Sequence, residues 1–269
     1  MIRLRDIASS YDLFFVDQFG VLHDGAEPYP GAVEALRALH AEGRRVVVLS
    51  NSGKRSAANE KRMEKLGFSA DSWTLFLSSG EVAWRMLAAK EPSERPKSCL
   101  VLARDGDASP IEGLGIGVTD DAQAADLVLI AGSEAPDKSF AAYKSLLAPA
   151  ALRKVPALCV NPDMTMIVPG GYAFGAGRIA LLYEQLGGKV TWIGKPYPEI
   201  YRTARAIVGG DLKALGIGDS IAHDIVGAKR AGADGALVLS GIHAGEIDLE
   251  ALYAKEGATP DHILARFEW

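Results

Sequence analysis

With 269 residues, 48% apolar and 23% charged, and a net charge of −5, the chain has the composition of a globular protein with one large or two modest domains. Acidic and basic residues are interspersed without a basic block, so nucleic acid is not an implied partner, and no apolar run approaches the length that crosses a bilayer. Cys99 and Cys159 are too few and too far apart for a disulfide framework or a zinc site. They read as buried reduced thiols, and with no apolar leader in Met1–Asp6 they predict a cytoplasmic protein.

Leu13-Phe14-Phe15-Val16 is a continuous apolar run of strand length that ends on Asp17. The Gly- and Pro-bearing segment from Gly20 to Gly31 is too irregular for a regular element. From Ala32 to His40, Val33, Leu36 and Leu39 recur at helical spacing, and Gly43 closes the helix. Arg45-Val46-Val47-Val48-Leu49 predicts a second buried strand ending at Ser50-Asn51, followed by a helix over about 56–66 closed by Gly67. A second set of elements follows between about 79 and 189: strands over 99–102, 126–130 and 157–160, and helices over 138–147 and 178–186. That stretch is long enough to hold its own core. The first grammar then returns. Val190-Thr191-Trp192-Ile193 leads into Gly194-Lys195-Pro196, and Leu215-Gly216-Ile217 leads into Gly218-Asp219-Ser220. A helix over about 222–231 and a strand over 235–239 complete the series. The alternation predicts the α/β class: a doubly wound parallel-sheet core from 1–78 and 190–269, with an α/β cap inserted at 79–189. Four strands would deliver Asp17, Ser50, Lys195 and Asp219 to the carboxyl edge, where ligands bind in such sheets.

A carboxylate at the end of a buried strand is costly unless paired or metal-bound. Asp17 alone reads more readily as a capping or turn residue than as a nucleophile, but Gly218-Asp219-Ser220-Ile221-Ala222-His223-Asp224 supplies two more carboxylates after another apolar strand. Asp17 and Asp219 suit the hard oxygen site of Mg²⁺, with Asp224 as a third ligand or a supporting partner. The competing reading of Asp219 to Asp224 is a helix cap with acids in its first turn. Ser50, Asn51 and the helix-entry loop after them can hold a phosphate oxygen or simply cap a helix. Lys195, fixed before Pro196, can aim its ammonium at a phosphoryl group or lie in solvent.

Taken in order, Asp17 with Gly20-Val21, Ser50-Asn51, Gly194-Lys195-Pro196, and Gly218-Asp219 with Asp224 resemble the four motifs of the haloacid dehalogenase superfamily. The position of the insertion resembles class IIA, the nitrophenylphosphatase-like and pyridoxal phosphate phosphatase-like branch. Pro30-Gly31-Ala32, Ser78-Ser79-Gly80 and Asn161-Pro162-Asp163 match that branch, and the resemblance covers nearly the whole chain. It implies a Rossmann-like core and a Mg²⁺-dependent phosphatase of small phosphorylated metabolites. Asp17 would form an aspartyl-phosphate, while Ser50, Asn51 and Lys195 hold the phosphate. The cap would close over the site, with Asn161, Asp163 and Arg178 influencing what fits; Asn161 to Asp163 read equally as a turn that shapes the cap. A homodimer formed through the cap is a further expectation from the resemblance.

One position departs from the pattern. Phosphatases of this superfamily carry an Asp two residues after the nucleophile as general acid and base, and here that residue is Phe19. Its backbone carbonyl can still ligate Mg²⁺, but a phenyl ring moves no proton. Three readings follow: a slow or specialised phosphatase using His23, Asp24 or a cap residue as proton carrier; dehalogenase-like hydrolysis; and a non-catalytic protein that binds a phosphorylated ligand. The dehalogenases carry an aromatic residue at this position but lack the acidic pair that Asp219 and Asp224 form.

Overall fold

The computed structural model describes residues 2–241 and 248–269; residue 1 and residues 242–247, which fall within the expected core ranges, lie outside the described residues. In chain order the first stretch runs α1 (Leu4–Ile7), β1 (Leu13–Asp17), α2 (Ala32–Ala41), β2 (Arg45–Ser50), α3 (Ser56–Lys65) and β3 (Leu75–Ser78). Then come α4 (Ser79–Ala88), β4 (Ser98–Leu102), β5 (Gly117–Val118), β6 (Leu127–Ile130), α5 (Phe140–Leu152) and β7 (Pro156–Cys159). A hairpin of β8 (Thr165–Val168) and β9 (Gly171–Phe174) precedes α6 (Ala176–Gln185) and β10 (Lys189–Trp192). The last stretch is α7 (Pro198–Val208), β11 (Ala214–Gly218), α8 (Val226–Arg230), β12 (Asp234–Val238), α9 (Leu249–Glu256) and β13 (His262–Leu264). No helix among the described residues is long and apolar enough to cross a membrane.

The chain divides into two compact units, the first of Met1–Ser50, Ala57–Leu77 and Lys195–Trp269, the second of Asn51–Ser56 and Ser78–Gly194. In the first, six strands lie in the order β13-β12-β11-β1-β2-β3, and the pairs from β13 to β2 are parallel. β1 and β11 are buried along nearly their whole length, which is why they read as unbroken apolar runs. Phe14, Val16, Val46, Val48, Leu215 and Ile217 share one core with Leu36 and Leu39 of α2. The register pairs Asp17 with Leu49 and Val16 with Ile217, so Asp17, Ser50 and Asp219 all emerge at one carboxyl edge. The chain leaves β1 toward β2 on one side and later returns to β11 on the other. Asp17 therefore stands at the point where strand order reverses.

The second unit has its own parallel sheet, β10-β7-β6-β4-β5. Its core joins Leu100, Val128 and Ile130 to Tyr143 and Leu147 of α5 and Ile179 and Tyr183 of α6. Here one expectation is corrected. The strand over 190–193, expected to reopen the first sheet, is β10, an edge strand pairing with β7 in the second. Its residues alternate between exposed and half-buried, the mark of an edge and not of a doubly covered central strand.

Candidate active site

Within the first unit the chain brings four of the expected side chains together. Lys195, only 4% exposed, places Nζ 2.5 Å from Asp17 Oδ1 and 2.7 Å from Asp224 Oδ1. Ligand oxygens of Asp17, Asp219 and Asp224 lie within 4.8 Å of one another. Asp17 retains 13% side-chain exposure, so the carboxylate is held yet reachable. Ser50, buried at the end of β2, stands at the same edge. Lys195 arrives there from the loop after β10, although its preceding strand belongs to the other unit.

Local backbone explains how these groups fit. After β11 the chain makes a wide turn, Ile221–Ile225, in which Ile225 N–H donates to Ser220 O at 3.2 Å. Such π-turns often mark functional sites. Ser220 Oγ caps it, accepting from His223 N–H, while Ser220 N–H donates to Asp224 Oδ2 at 3.1 Å. Asp224 thus has one oxygen on the backbone and the other on Lys195, which suits it to hold the lysine. The expected plain helix over 222–231 is corrected here: it begins with this wide turn. Gly218 is needed beneath it, since a Cβ there would lie 2.0 Å from Asp224 Cγ. Cβ atoms at Gly20 and Gly241 would likewise fall within 2.0 Å and 1.8 Å of Asp219 Oδ2. The role of Gly241 is invisible from spacing alone; its only trace is a glycine soon after the apolar run of β12.

Three carboxylates here face one ammonium. Burial pushes Asp17 well above the usual carboxylate range, and Asp224 and Asp219 add to this against the pull of Lys195. Burial alone would lower Lys195, but Asp17 and Asp224 hold it above its ordinary range, so it stays charged. The buried Tyr201 phenol is pushed up as well, by burial and by Asp224, and stays protonated. Three hard carboxylates against one cation leave a deficit that a divalent ion matches in sign, donor type and spacing.

Phe19 lies 41% exposed, its ring edge-on to His23 at 5.9 Å between centroids. His23 is fully buried, and its Nδ1 accepts from Gly25 N–H at 2.9 Å, which leaves the proton on Nε2. Nε2 has no hydrogen-bond partner, and burial, with Arg62 nearby, lowers the imidazole to about 4. His23 is therefore neutral and sealed, unsuited to the proton-carrier role expected of it. Asp24 spends its carboxylate on the N–H groups of Ala26 and Glu27, both at 2.8 Å.

The remaining expected residues belong to the second unit. Asn51 Nδ2 donates to Asp163 Oδ1 at 2.8 Å, and Asp163 N–H donates to Asn161 Oδ1 at 3.2 Å, so these three form one linked turn. Arg178 is exposed on the first turn of α6.

Two family models match, one described as haloacid dehalogenase-like hydrolase over residues 14–117 and one as a related HAD-hydrolase-like model over residues 192–268. The chain belongs to the haloacid dehalogenase superfamily. It is a hydrolase of the class IIA branch of that superfamily. Human chronophin is 27% identical over 253 residues, covering 89% of this chain and 84% of its own length. A Brucella suis haloacid dehalogenase-like hydrolase superposes with a TM-score of 0.82 at 26% identity, over 99% of each chain. Mycobacterium tuberculosis glycerol phosphate phosphatase, solved in complex with magnesium, gives a TM-score of 0.76 at 25% identity, covering 97% of this chain and 77% of that one. The same enzyme is also known in complex with calcium.

Proposed function

We propose that the chain is a Mg²⁺-dependent phosphatase of small phosphate esters that works through an aspartyl-phosphate on Asp17. The observation that carries this reading is the buried cluster in which Lys195 bridges Asp17 and Asp224 beside Asp219. The phosphatase names of its relatives support it. In this scheme an Asp17 oxygen attacks phosphorus as the bond to the leaving oxygen breaks, and water then cleaves the acyl phosphate and restores the carboxylate. Lys195 offsets charge on the equatorial oxygens, with Ser50 and Asn51 as donors to them. Asp17, Asp219 and the Phe19 carbonyl would hold Mg²⁺, which when bound adds further neutralisation of the phosphoryl charge. Asn161 and Asp163 would shape the substrate's surroundings, and Arg178 would contribute from the surface of the same unit. A cytoplasmic setting belongs to this reading, supported by two free, buried cysteines.

Phe19 sets the limits of the chemistry. With no acid at that position and His23 neutral, esters whose leaving group is stable as an anion are the better substrates. Phe19 also favours a second reading, carbon–halogen hydrolysis, in which the departing halide needs no proton; the three clustered carboxylates weigh against it. Phosphate release from a panel of aryl and alkyl esters, with and without Mg²⁺, separates the readings. Metal-dependent turnover of aryl esters is the expected result. Metal-independent halide release, or tight phosphoester binding with no turnover, would overturn the proposal.

A further inference from the structure

Phe19 is built into its loop. Its ring stands edge-on to the buried His23 and packs over Gly25, where a Cβ would come 3.1 Å from Phe19 Cε2. Gly25 has a φ of +105°, so its missing side chain serves the backbone and the ring together. Gly25 N–H donates to His23 Nδ1 at 2.9 Å, and Arg62 donates to Gly25 O at 3.0 Å, which ties the loop to α3. The chain two residues beyond Asp17 is thus fitted to a phenyl group, which moves no proton.

Among the described residues of the first unit, the other groups able to hand a proton to a departing oxygen are committed elsewhere. Asp24 accepts from two backbone N–H groups, and His23 is sealed. Lys195 is clamped between Asp17 and Asp224, and Asp224 spends its second oxygen on Ser220 N–H. His223 Nδ1 lies 3.2 Å from Ser220 Oγ, in the turn that Ser220 caps. Asp219 would be taken up by Mg²⁺. A phosphoryl donor handled here must therefore release a group that is stable as an anion. Carboxylic acids ionise at about 4 and phenols at about 10, with alkanols higher still, so a carboxylate departs with no proton at neutral pH. The energetics match as well. A phosphate on Asp17 is itself a carboxylic–phosphoric anhydride. Transfer from another such anhydride exchanges one carboxylate for another and is nearly level, whereas transfer from an ester runs uphill.

We infer that the preferred substrates of this site are acyl phosphates, in which phosphate is joined to a carboxylic acid and not to an alcohol. The inference rests on the phosphatase reading and changes the class of donor within it. An Asp17 oxygen bonds to phosphorus as the bond from phosphorus to the acyl oxygen breaks, and that electron pair leaves with the carboxylate. Water then attacks phosphorus, the bond to Asp17 breaks, and both hydrogens of the water stay on the product as dihydrogen phosphate. Neither step asks the protein for a proton. Charge favours a carboxylate over a second phosphate as leaving group. Three carboxylates, Lys195 and one divalent ion leave the centre near neutral, with nothing over for the extra charge that a diphosphate carries.

The test uses the full chain with Mg²⁺ and compares acetyl phosphate with ethyl phosphate, which share a two-carbon skeleton. Acetyl phosphate is expected to have a kcat/KM about 10²-fold or more above that of ethyl phosphate, and Phe19→Asp to shrink the ratio by about 10²-fold by speeding ethyl phosphate. A wild-type ratio near one, or a ratio unchanged in folded Phe19→Asp, overturns the inference. A second measurement needs no variant, and decides the matter if Phe19→Asp does not fold. Labelled acetate should enter acetyl phosphate by reversal of the first step, faster than acetyl phosphate is hydrolysed, and Asp17→Asn should abolish this exchange. Hydrolysis without exchange would remove the level first step on which the inference stands. A higher kcat/KM for methyl diphosphate than for acetyl phosphate would overturn the choice of a carboxylate. If p-nitrophenyl phosphate is cleaved and acetyl phosphate is not, the inference alone falls. If neither is cleaved, the phosphatase reading fails and takes the inference with it.

Discussion

Two buried acids, one in each unit, move in opposite directions. In the second unit Glu81 accepts from Arg55 at 2.8 Å and from Arg85 at 3.2 Å. Burial pushes Glu81 up, but the two arginines outweigh it and hold the carboxyl below its usual range. In the first unit burial pushes Asp17 up, and the single Lys195, opposed by Asp224 and Asp219, does not bring it back. A structural cluster brings enough opposite charge to close its own account. The Asp17 cluster is short of cations, and that shortfall marks a place built for something that arrives later.

Four substitutions would break or sharpen this contrast. Asp17→Asn keeps the shape of the cluster but removes the nucleophile, and should lower kcat by about 10⁴-fold or more in a Mg²⁺-supplemented ester assay. Residual turnover within ten-fold of wild type would move the nucleophile elsewhere. Next in size, Phe19→Asp restores a group able to move protons and should raise kcat on alkyl esters by about 10²–10⁴-fold, and less on aryl esters. The same missing base should slow hydrolysis of the aspartyl-phosphate, so stopped-flow traces of wild type with p-nitrophenyl phosphate should show a burst that Phe19→Asp abolishes.

The third concerns pH. The unfolded chain protonates His23 near 6.5, whereas the folded chain refuses the proton until about 4. The stability tied to this residue is therefore fully present above 6.5 and is lost as pH falls toward 4. The loss should reach up to about 3 kcal/mol, read from urea midpoints. His23→Asn, which can still accept from Gly25 N–H, should flatten that part of the pH profile relative to wild type. Smallest is Glu81→Gln. With both arginines partly exposed, it should cost about 1–2 kcal/mol of stability while leaving kcat within a few-fold. A large loss of turnover instead would mean that the Glu81 cluster is not merely structural.

Asp17, Ser50 and Asp219 were legible because each ends a strand buried on both faces, which writes an unbroken apolar run closing on a polar residue. The same logic located Lys195 in the right cluster on the wrong strand, since an apolar run does not say which sheet it joins. Alternation in Lys189–Trp192 was the available signal. The wide turn at Ile221–Ile225 left no such trace, because its extra residue is set by packing of Asp224 over Gly218. The β8–β9 hairpin also escaped a reading based on buried runs. Tyr172 is 80% exposed there, and β8 alternates exposed and half-buried residues with none fully buried. His23 looked available as a proton carrier because sequence carries no measure of depth; its fully buried ring removes that option.

The strand order has a consequence for how the molecule is made. β1 lies between β2 and β11, and some two hundred residues separate β1 from β11 in the chain. At ribosomal speeds, on the order of 10–40 s pass between the emergence of Asp17 and that of Asp219. Through that interval the growing polypeptide carries a half-built sheet whose most apolar strand has one side of its backbone unpaired, a surface prone to wrong pairing. Only the last fifth of translation covers it. The step that seals the sheet is also the one that completes the acidic centre.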